Sequence, residues 1–102
     1  MSDQWVVHWS PRAERFARKL GKGPVRDRIR KEIDSLSSHP KRGKYFPNHD
    51  VYSLRIGTPG GEYRAIYQLI PERQTILIIL VASREQVYKI GSSLNRVGKS
   101  YV

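Results

Sequence analysis

The pattern of apolar and polar residues at the start of the chain predicts a strand followed by a helix. Residues 5–9 are aromatic and β-branched, which is typical of a strand. Ser10-Pro11 supplies the residue types preferred at the N-cap and at the first position of a helix. We therefore expect a first helix over Pro11 to Leu20, with Phe16 and Leu20 facing the core at i, i+4 spacing.

A second group of apolar residues predicts another amphipathic helix. It follows Pro24, a residue that is tolerated in the first turn of a helix, and His39-Pro40 marks its end. The apolar positions recur at spacings of four, four and three, which places them on one helix face: Val25, Ile29, Ile33 and Leu36. The segment 41–50 that follows is polar and contains glycine and proline, so we expect it to be a connection.

The second half of the chain predicts strands joined by turns. Strand-forming residues occupy 51–56 and 63–70, and the glycine-rich segment 57–61 between them indicates a hairpin turn. A further turn is expected at 71–74. The segment 75–82 is an almost continuous run of Ile, Leu and Val, which favours a strand that is covered on both faces and lies centrally in a sheet.

Ser83 and Gln86 fit a capping box, in which a Ser at the N-cap is followed three residues later by Gln, so a short helical turn is expected there. Residues 91–102 are expected to be a loose tail or a short helix. The predicted order β-α-α-β-β-β corresponds to an α+β fold, in which a helical hairpin packs on a small, mostly antiparallel sheet. With 102 residues we expect a single domain over 1–102, with its core at about 5–90.

Charge narrows the range of partners. Lys and Arg number 19 against 9 Asp and Glu, which gives a formal net charge of +10. Twelve of the basic residues lie between 12 and 44, against four acidic ones. Such an excess favours a polyanionic partner, which could be RNA, DNA, an acidic protein or an anionic membrane, and we favour a nucleic acid.

The absence of cysteine excludes disulfide frameworks, thiol catalysis and cysteine-ligated metal sites. The three histidines are scattered, no nucleotide-binding motif is present, and we expect no metal or cofactor. No signal peptide is evident at the N-terminus, and the longest apolar run, 76–82, is far shorter than the roughly 20 residues that span a bilayer. We therefore expect a cytoplasmic protein that does not enter a membrane.

Four residues form the most informative chemical set. Arg84 and Tyr88 lie four residues apart on the predicted last helix, and Arg55 and Arg64 lie on the two strands of the hairpin. Taken singly, each arginine is also compatible with an ordinary solvated or ion-paired surface residue. Tyr88 alone is also compatible with a residue at the edge of the core. Together, guanidinium groups would hold a phosphate and stabilise its developing charge, and they would lower the pKa of a nearby phenol. The set therefore suits metal-free cleavage of RNA.

The segments 54–57, 62–67 and 76–88 together resemble the RelE/ParE toxin superfamily. Members carry an "LR…YR.IY" pattern, then an apolar strand, then an "R…VY" ending, and the upstream helical hairpin also matches. The resemblance implies a toxin of a type II toxin–antitoxin pair. RelE-like members cut mRNA in the ribosomal A site without metal. ParE-like members share the fold, poison DNA gyrase and lack the catalytic residues.

The resemblance also implies roles for individual residues. Arg64 matches the arginine that stabilises the phosphate, Arg84 the general acid or phosphate clamp, and Tyr88 the general base. Arg55 matches a supporting basic residue. The implied partners are a cognate antitoxin, with which the chain forms a hetero-oligomer, together with mRNA and the ribosome. An acidic antitoxin segment is expected to cover the region of Arg84 and Tyr88.

Two departures from the family pattern bear on the site. RelE-like enzymes often carry lysines on the strand before the "LR" pair, where this chain has Val51 and Ser53. Three residues are candidates to compensate as substrate-binding groups: Lys44, His49 and Tyr52. Relative to the family pattern, the segment 58–61 resembles an insertion in the hairpin. The alternatives are therefore a ParE-like gyrase inhibitor without hydrolytic activity and a degenerate homologue that binds only RNA or its antitoxin.

Overall fold

The computed structural model describes residues 4–86, and it confirms the α+β class with a helical hairpin beside a small sheet. In chain order the elements are β1 (Val6–Trp9), α1 (Pro11–Leu20), α2 (Pro24–Asp34), β2 (Lys44–Phe46), β3 (Val51–Thr58), β4 (Gly61–Ile70) and β5 (Thr75–Ser83). A short 3₁₀ turn, Ser35–Ser37, extends α2. In the described part of the chain, no helix is long and apolar enough to cross a membrane.

The strands form one sheet in the order β1-β5-β4-β3-β2. Only β1 and β5 run parallel, and the other pairs are antiparallel, as the sequence predicts. The apolar strand β5 lies between β1 and β4, so its internal position is confirmed. A register shift between Ile66 and Tyr67 leaves one extra residue on β5. Before the bulge the fully buried side chains are at even positions, Ile76 and Ile78, and after it the odd position Val81 is fully buried. Buried and exposed residues therefore do not simply alternate along β5.

The prediction that 41–50 is only a connection was wrong, because β2 lies inside it. Lys44, Tyr45 and Phe46 pair with β3 at Ser53, Tyr52 and Val51. A strand of three residues with every side chain exposed has no periodic signature, and it exists because β3 offers it a partner. The sequence therefore gives no local sign of this edge strand.

The glycine-rich hairpin is longer and tighter than predicted. Pairing of β3 with β4 continues to Thr58 and Gly61, so that only Pro59-Gly60 connects the two strands. The Thr58 hydroxyl donates to the Gly61 carbonyl at 2.8 Å and accepts from the Gly60 amide at 3.1 Å. The segment that resembles an insertion therefore lengthens a regular hairpin and does not form a flexible loop.

The first helix begins as predicted. The Ser10 hydroxyl accepts a hydrogen bond from the Ala13 amide at 3.1 Å, and Pro11 occupies the first helical position. The residues that face the sheet most closely are the small Ala13 and Ala17, both fully buried, whereas Phe16 and Leu20 are only partly buried against the core. Small residues at this contact allow the helix to approach the sheet.

Both helices pack on one face of the sheet, and the opposite face is called here the outer face. The core face carries cross-strand partners such as Leu54 and Ala65, which belong to the same buried cluster as Ile29 and Ile33 of α2. Because side chains alternate along a strand, the residues next to Leu54 and Ala65 project to the outer face. That alternation places Arg55 and Arg64 on the outer face.

Candidate functional site

Arg55 and Arg64 lie directly opposite each other in the middle of the outer face. They are Cα partners on β3 and β4, and the next residue across the sheet is the small Ala82 of β5. Directly opposed side chains of an antiparallel pair project to the same side with their Cβ atoms about 5 Å apart. The structure therefore brings together two of the arginines that the sequence singles out.

A carboxylate that the sequence analysis did not assign holds the two arginines. Glu62 lies two residues before Arg64 on β4, so both side chains share a face. Its Oε1 lies 3.5 Å from Arg55 Nε, and its Oε2 lies 3.2 Å from Arg64 Nη2. Two cations placed opposite each other would repel, and the shared anion offsets that repulsion. The spacing of Glu62 and Arg64 at i, i+2 within a strand is the signal that would have identified this contact.

The two arginines differ in how firmly they are held. The Arg64 side chain is 25% exposed, whereas that of Arg55 is 71% exposed. A side chain that is three-quarters buried loses little further freedom when it binds a ligand. Arg64 is therefore the better fixed anchor for an anion, and Arg55 is the more adaptable one.

Lys44 of β2 adds a third cation to the same surface. Its Cα partner is Ser53 of β3, and it lines one open groove of about 460 Å³ together with Arg55 and Arg64. The other residues of that groove are Arg42, Gly43, Ser53 and Leu54. A concave surface with these cations matches a phosphodiester in charge and in hydrogen-bonding capacity.

Two of the expected substrate-binding residues do not reach this groove. Tyr52 lies on the core face, where its ring stacks on Tyr67 with centroids 5.2 Å apart and also contacts Tyr45 at 4.8 Å. Tyr52 is not among the residues that line the groove, because it pairs with Tyr67 on β4 and shares the face of that buried ring. His49 lies in the turn between β2 and β3 and is not among the groove residues, so the geometry does not support a role for it there.

The capping box at the end of β5 is confirmed. The Gln86 amide donates to the Ser83 hydroxyl at 3.3 Å, and the Ser83 amide donates to Gln86 Oε1 at 2.9 Å. Arg84 is the first residue of the helical turn over 84–86. It lines a second pocket, of about 530 Å³, in which Glu62 is also a lining residue. Glu62 therefore lies between the arginine groove and the pocket of Arg84. Tyr88 lies outside the described residues.

The chain matches known proteins over most of its length. The family model for the ParE toxin of type II toxin–antitoxin system, parDE, matches residues 7–88. The mRNA interferase toxin RelE of Escherichia coli (strain K12) is 26% identical over 95 residues, which are 91% of this chain and 97% of that protein. These matches confirm the resemblance inferred from the sequence.

Solved structures agree with these matches. A free double arginine-to-alanine mutant of E. coli RelE superposes with a TM-score of 0.70 at 24% identity, over 93% of this chain and 99% of that one, which shows the fold. A chain of the toxin–antitoxin complex RelBE2 from Mycobacterium tuberculosis superposes with a TM-score of 0.65 at 27% identity, over 79% of this chain and 92% of that one.

Proposed function

The chain belongs to the ParE toxin family of type II toxin–antitoxin systems, and on this premise we propose that it is a toxin that cleaves mRNA as an endoribonuclease. The E. coli relative is named as an mRNA interferase. The observation that carries the proposal is the opposed pair Arg55 and Arg64 in a groove that Lys44 also lines. Arg42 also lines this groove but is paired with Glu32 at 2.7 Å. The other three cations of the concavity suit a phosphate that gains charge during a reaction.

The reaction that fits this groove uses the RNA as its own nucleophile. The 2′-oxygen attacks the neighbouring phosphorus, the bond from phosphorus to the 5′-oxygen breaks, and the products are a 2′,3′-cyclic phosphate and a 5′-hydroxyl. Arg64, with Arg55 beside it, stabilises the extra negative charge on the phosphate oxygens. We assign the proton of the 2′-hydroxyl to Tyr88 as general base. We assign Arg84 as the general acid that donates a proton to the leaving 5′-oxygen.

Lys44 supports this assignment in a way specific to this chain. The family pattern often places lysines at the positions of Val51 and Ser53, and both residues are buried here. Lys44 is the Cα partner of Ser53, so its side chain projects to the same face from the neighbouring strand. The positive charge missing from β3 is therefore supplied from β2.

Replacing Lys44 with alanine is expected to slow RNA cleavage about tenfold or more, because a cation that lines the groove beside Arg55 and Arg64 is lost. The matched control is Lys41→Ala, which removes an exposed lysine of the same segment that lines a different pocket, near His39 and Pro40. Single-turnover cleavage rates of the two variants check this. Equal rates for Lys44→Ala and the unaltered protein would show that β2 does not supply the missing charge.

We assign three partners to this function. We also propose that the protein acts in the cytoplasm. The first is an antitoxin, in keeping with the toxin–antitoxin complex among the structural relatives. The second and third are mRNA and the ribosome. The basic groove between α1 and β5 is lined by Arg12, Arg15 and Lys19, and it offers a surface for ribosomal RNA.

Mapping of mRNA 5′ ends on translating ribosomes tests the function. We expect the protein to produce new 5′ ends within the A-site codon, with 5′-hydroxyl termini, and to leave supercoiled DNA intact in the presence of gyrase. If free RNA of the same sequence is cut equally well, the protein is still a ribonuclease, but the ribosome is not required as a partner. Intact mRNA together with gyrase-trapped DNA breaks would identify a gyrase poison instead and overturn the proposal.

A further inference from the structure

An exposed aromatic ring adjoins the cationic groove. Three large hydrophobic residues are exposed in the described part of the chain: Val6, Tyr45 and Phe46. Val6 is on β1, at the far edge of the sheet, and Tyr45 projects to the core-face side with Tyr52. Phe46 projects to the outer face, because it lies two residues after Lys44 on the same strand. It is 38% exposed.

The ring of Phe46 is placed on a firm support. Its Cα partner is Val51, which is buried, and its carbonyl accepts a hydrogen bond from the His49 amide at 3.2 Å, which closes the turn to β3. A phenylalanine has two side-chain torsions, so little freedom is lost when a flat ligand stacks on it. The strand and the turn thus present a prearranged flat apolar surface.

A cation already lies against this ring. Lys44 Nζ is positioned over the Phe46 ring at 5.4 Å from its centroid. Cations are attracted to the face of an aromatic ring, so the ring holds the ammonium group while no phosphate is present. Lys44 also lines the groove of Arg55 and Arg64. One side chain therefore connects the flat surface with the site for a phosphate.

Single-stranded RNA satisfies both parts of this arrangement at once. Its phosphates pair with basic side chains and its unpaired bases stack on aromatic ones, and proteins that bind single strands combine such features. Lys44 and Phe46 are two positions apart on the strand, a spacing of about 7 Å, which one nucleotide can bridge between its phosphate and its base. An acidic peptide would use the cations and would leave the aromatic face unused.

We propose that Phe46 is a stacking platform for a nucleobase of the substrate RNA, next to the phosphate held by Arg64, and that Lys44 turns from the ring to that phosphate when RNA binds. This inference rests on the proposed ribonuclease function. Phe46 then acts as a positioning residue, since it holds the strand beside the reacting phosphate and touches no reacting atom.

The test uses the full chain and an mRNA that cannot be cut, because a 2′-O-methyl group blocks the attacking oxygen. Its A-site codon carries 2-aminopurine, whose fluorescence falls when it stacks on an aromatic ring. The RNA is titrated both free and on programmed ribosomes. The variants are Phe46→Leu, which keeps an apolar side chain without an aromatic face, and Phe46→Trp, which enlarges that face. Tyr45→Leu is the matched control from the same strand, because its side chain projects to the other side.

We expect Phe46→Leu to weaken RNA binding about tenfold and to reduce the quenching of 2-aminopurine. Phe46→Trp is expected to keep both the affinity and the quenching of the unaltered protein. Tyr45→Leu is expected to bind RNA as the unaltered protein does. Unchanged binding and quenching in Phe46→Leu would overturn the platform. So would an effect of Phe46→Leu on antitoxin binding alone. Cleavage of unblocked mRNA, assayed in parallel, separates the two proposals. If the unaltered protein cleaves, Arg64→Ala does not and Phe46→Leu has no effect, only the platform fails. If the unaltered protein leaves the mRNA intact, the ribonuclease function fails.

Discussion

Replacing Arg64 with alanine is expected to lower the rate of RNA cleavage by at least about a hundredfold, the scale seen when one group that stabilises a developing oxyanion is removed. Arg64 is the most buried cation of the groove, and Glu62 holds its guanidinium at 3.2 Å. Water that replaces this side chain would have to reorganise as charge develops on the phosphate, whereas the fixed guanidinium does not. Single-turnover cleavage on programmed ribosomes, with equal amounts of folded protein, measures the effect.

Two further variants make the Arg64 result specific. Arg64→Lys keeps the charge and loses the planar fork that pairs with two phosphate oxygens, so an intermediate rate is expected. Arg73→Ala removes an exposed arginine at the turn between β4 and β5, at the end of the sheet away from the hairpin tip, and is expected to cleave normally. A loss of the same size in Arg73→Ala would mean that general positive charge, and not the groove, carries the activity.

The elements with a strong periodic or capping signal were predictable from the sequence. The helix Pro11–Leu20 has the predicted bounds, because Ser10 and Pro11 define its start through local hydrogen bonding and backbone geometry. The long apolar strand β5 was also placed correctly inside the sheet. Its bulge was not predicted, since the register depends on its pairing with β4, which no single segment encodes.

The candidate site was predictable where it depends on strand register and unpredictable where it depends on β2. Arg55 and Arg64 share a face because a hairpin with a tight turn fixes their pairing. Lys44 reaches the groove through a short edge strand that has no pattern of its own. Tyr52 lies three positions before Arg55 on β3, and alternation along the strand alone places these two side chains on opposite faces.

The connection that carries β2 depends on one buried phenol, so Tyr67→Phe is expected to reduce both stability and activity. Tyr67 is fully buried, and its hydroxyl donates to the Pro40 carbonyl at 2.8 Å and accepts from the Gly43 amide at 2.9 Å. Burial raises the pKa of Tyr67, which keeps the hydroxyl protonated and able to donate. Phenylalanine retains the stacked ring and leaves both backbone groups without this partner, at a cost of about 1–3 kcal/mol.

Because β2, which carries Lys44 and Phe46, begins directly after Gly43, the loss of this anchor is expected to reach the groove as well as the core. We expect the thermal midpoint to fall by about 5–20 °C, and the amides of β2 to exchange with solvent faster than those of β4. Gly43→Ala should act similarly, since a Cβ there would lie 2.9 Å from the Ser53 carbonyl oxygen and from the Tyr67 hydroxyl.

Tyr52→Phe is the matched control for the Tyr67 variant, because it removes a hydroxyl from the neighbouring stacked ring. Within residues 4–86, the Tyr52 hydroxyl makes no hydrogen bond. Thermal unfolding, amide exchange and single-turnover cleavage are measured on both variants. If Tyr67→Phe lowers cleavage while Tyr52→Phe does not, the position of β2 controls the groove, because neither hydroxyl lies on the outer face. A Tyr67→Phe protein with normal exchange in β2 and normal cleavage would show that pairing with β3 alone holds Lys44 and Phe46 in place.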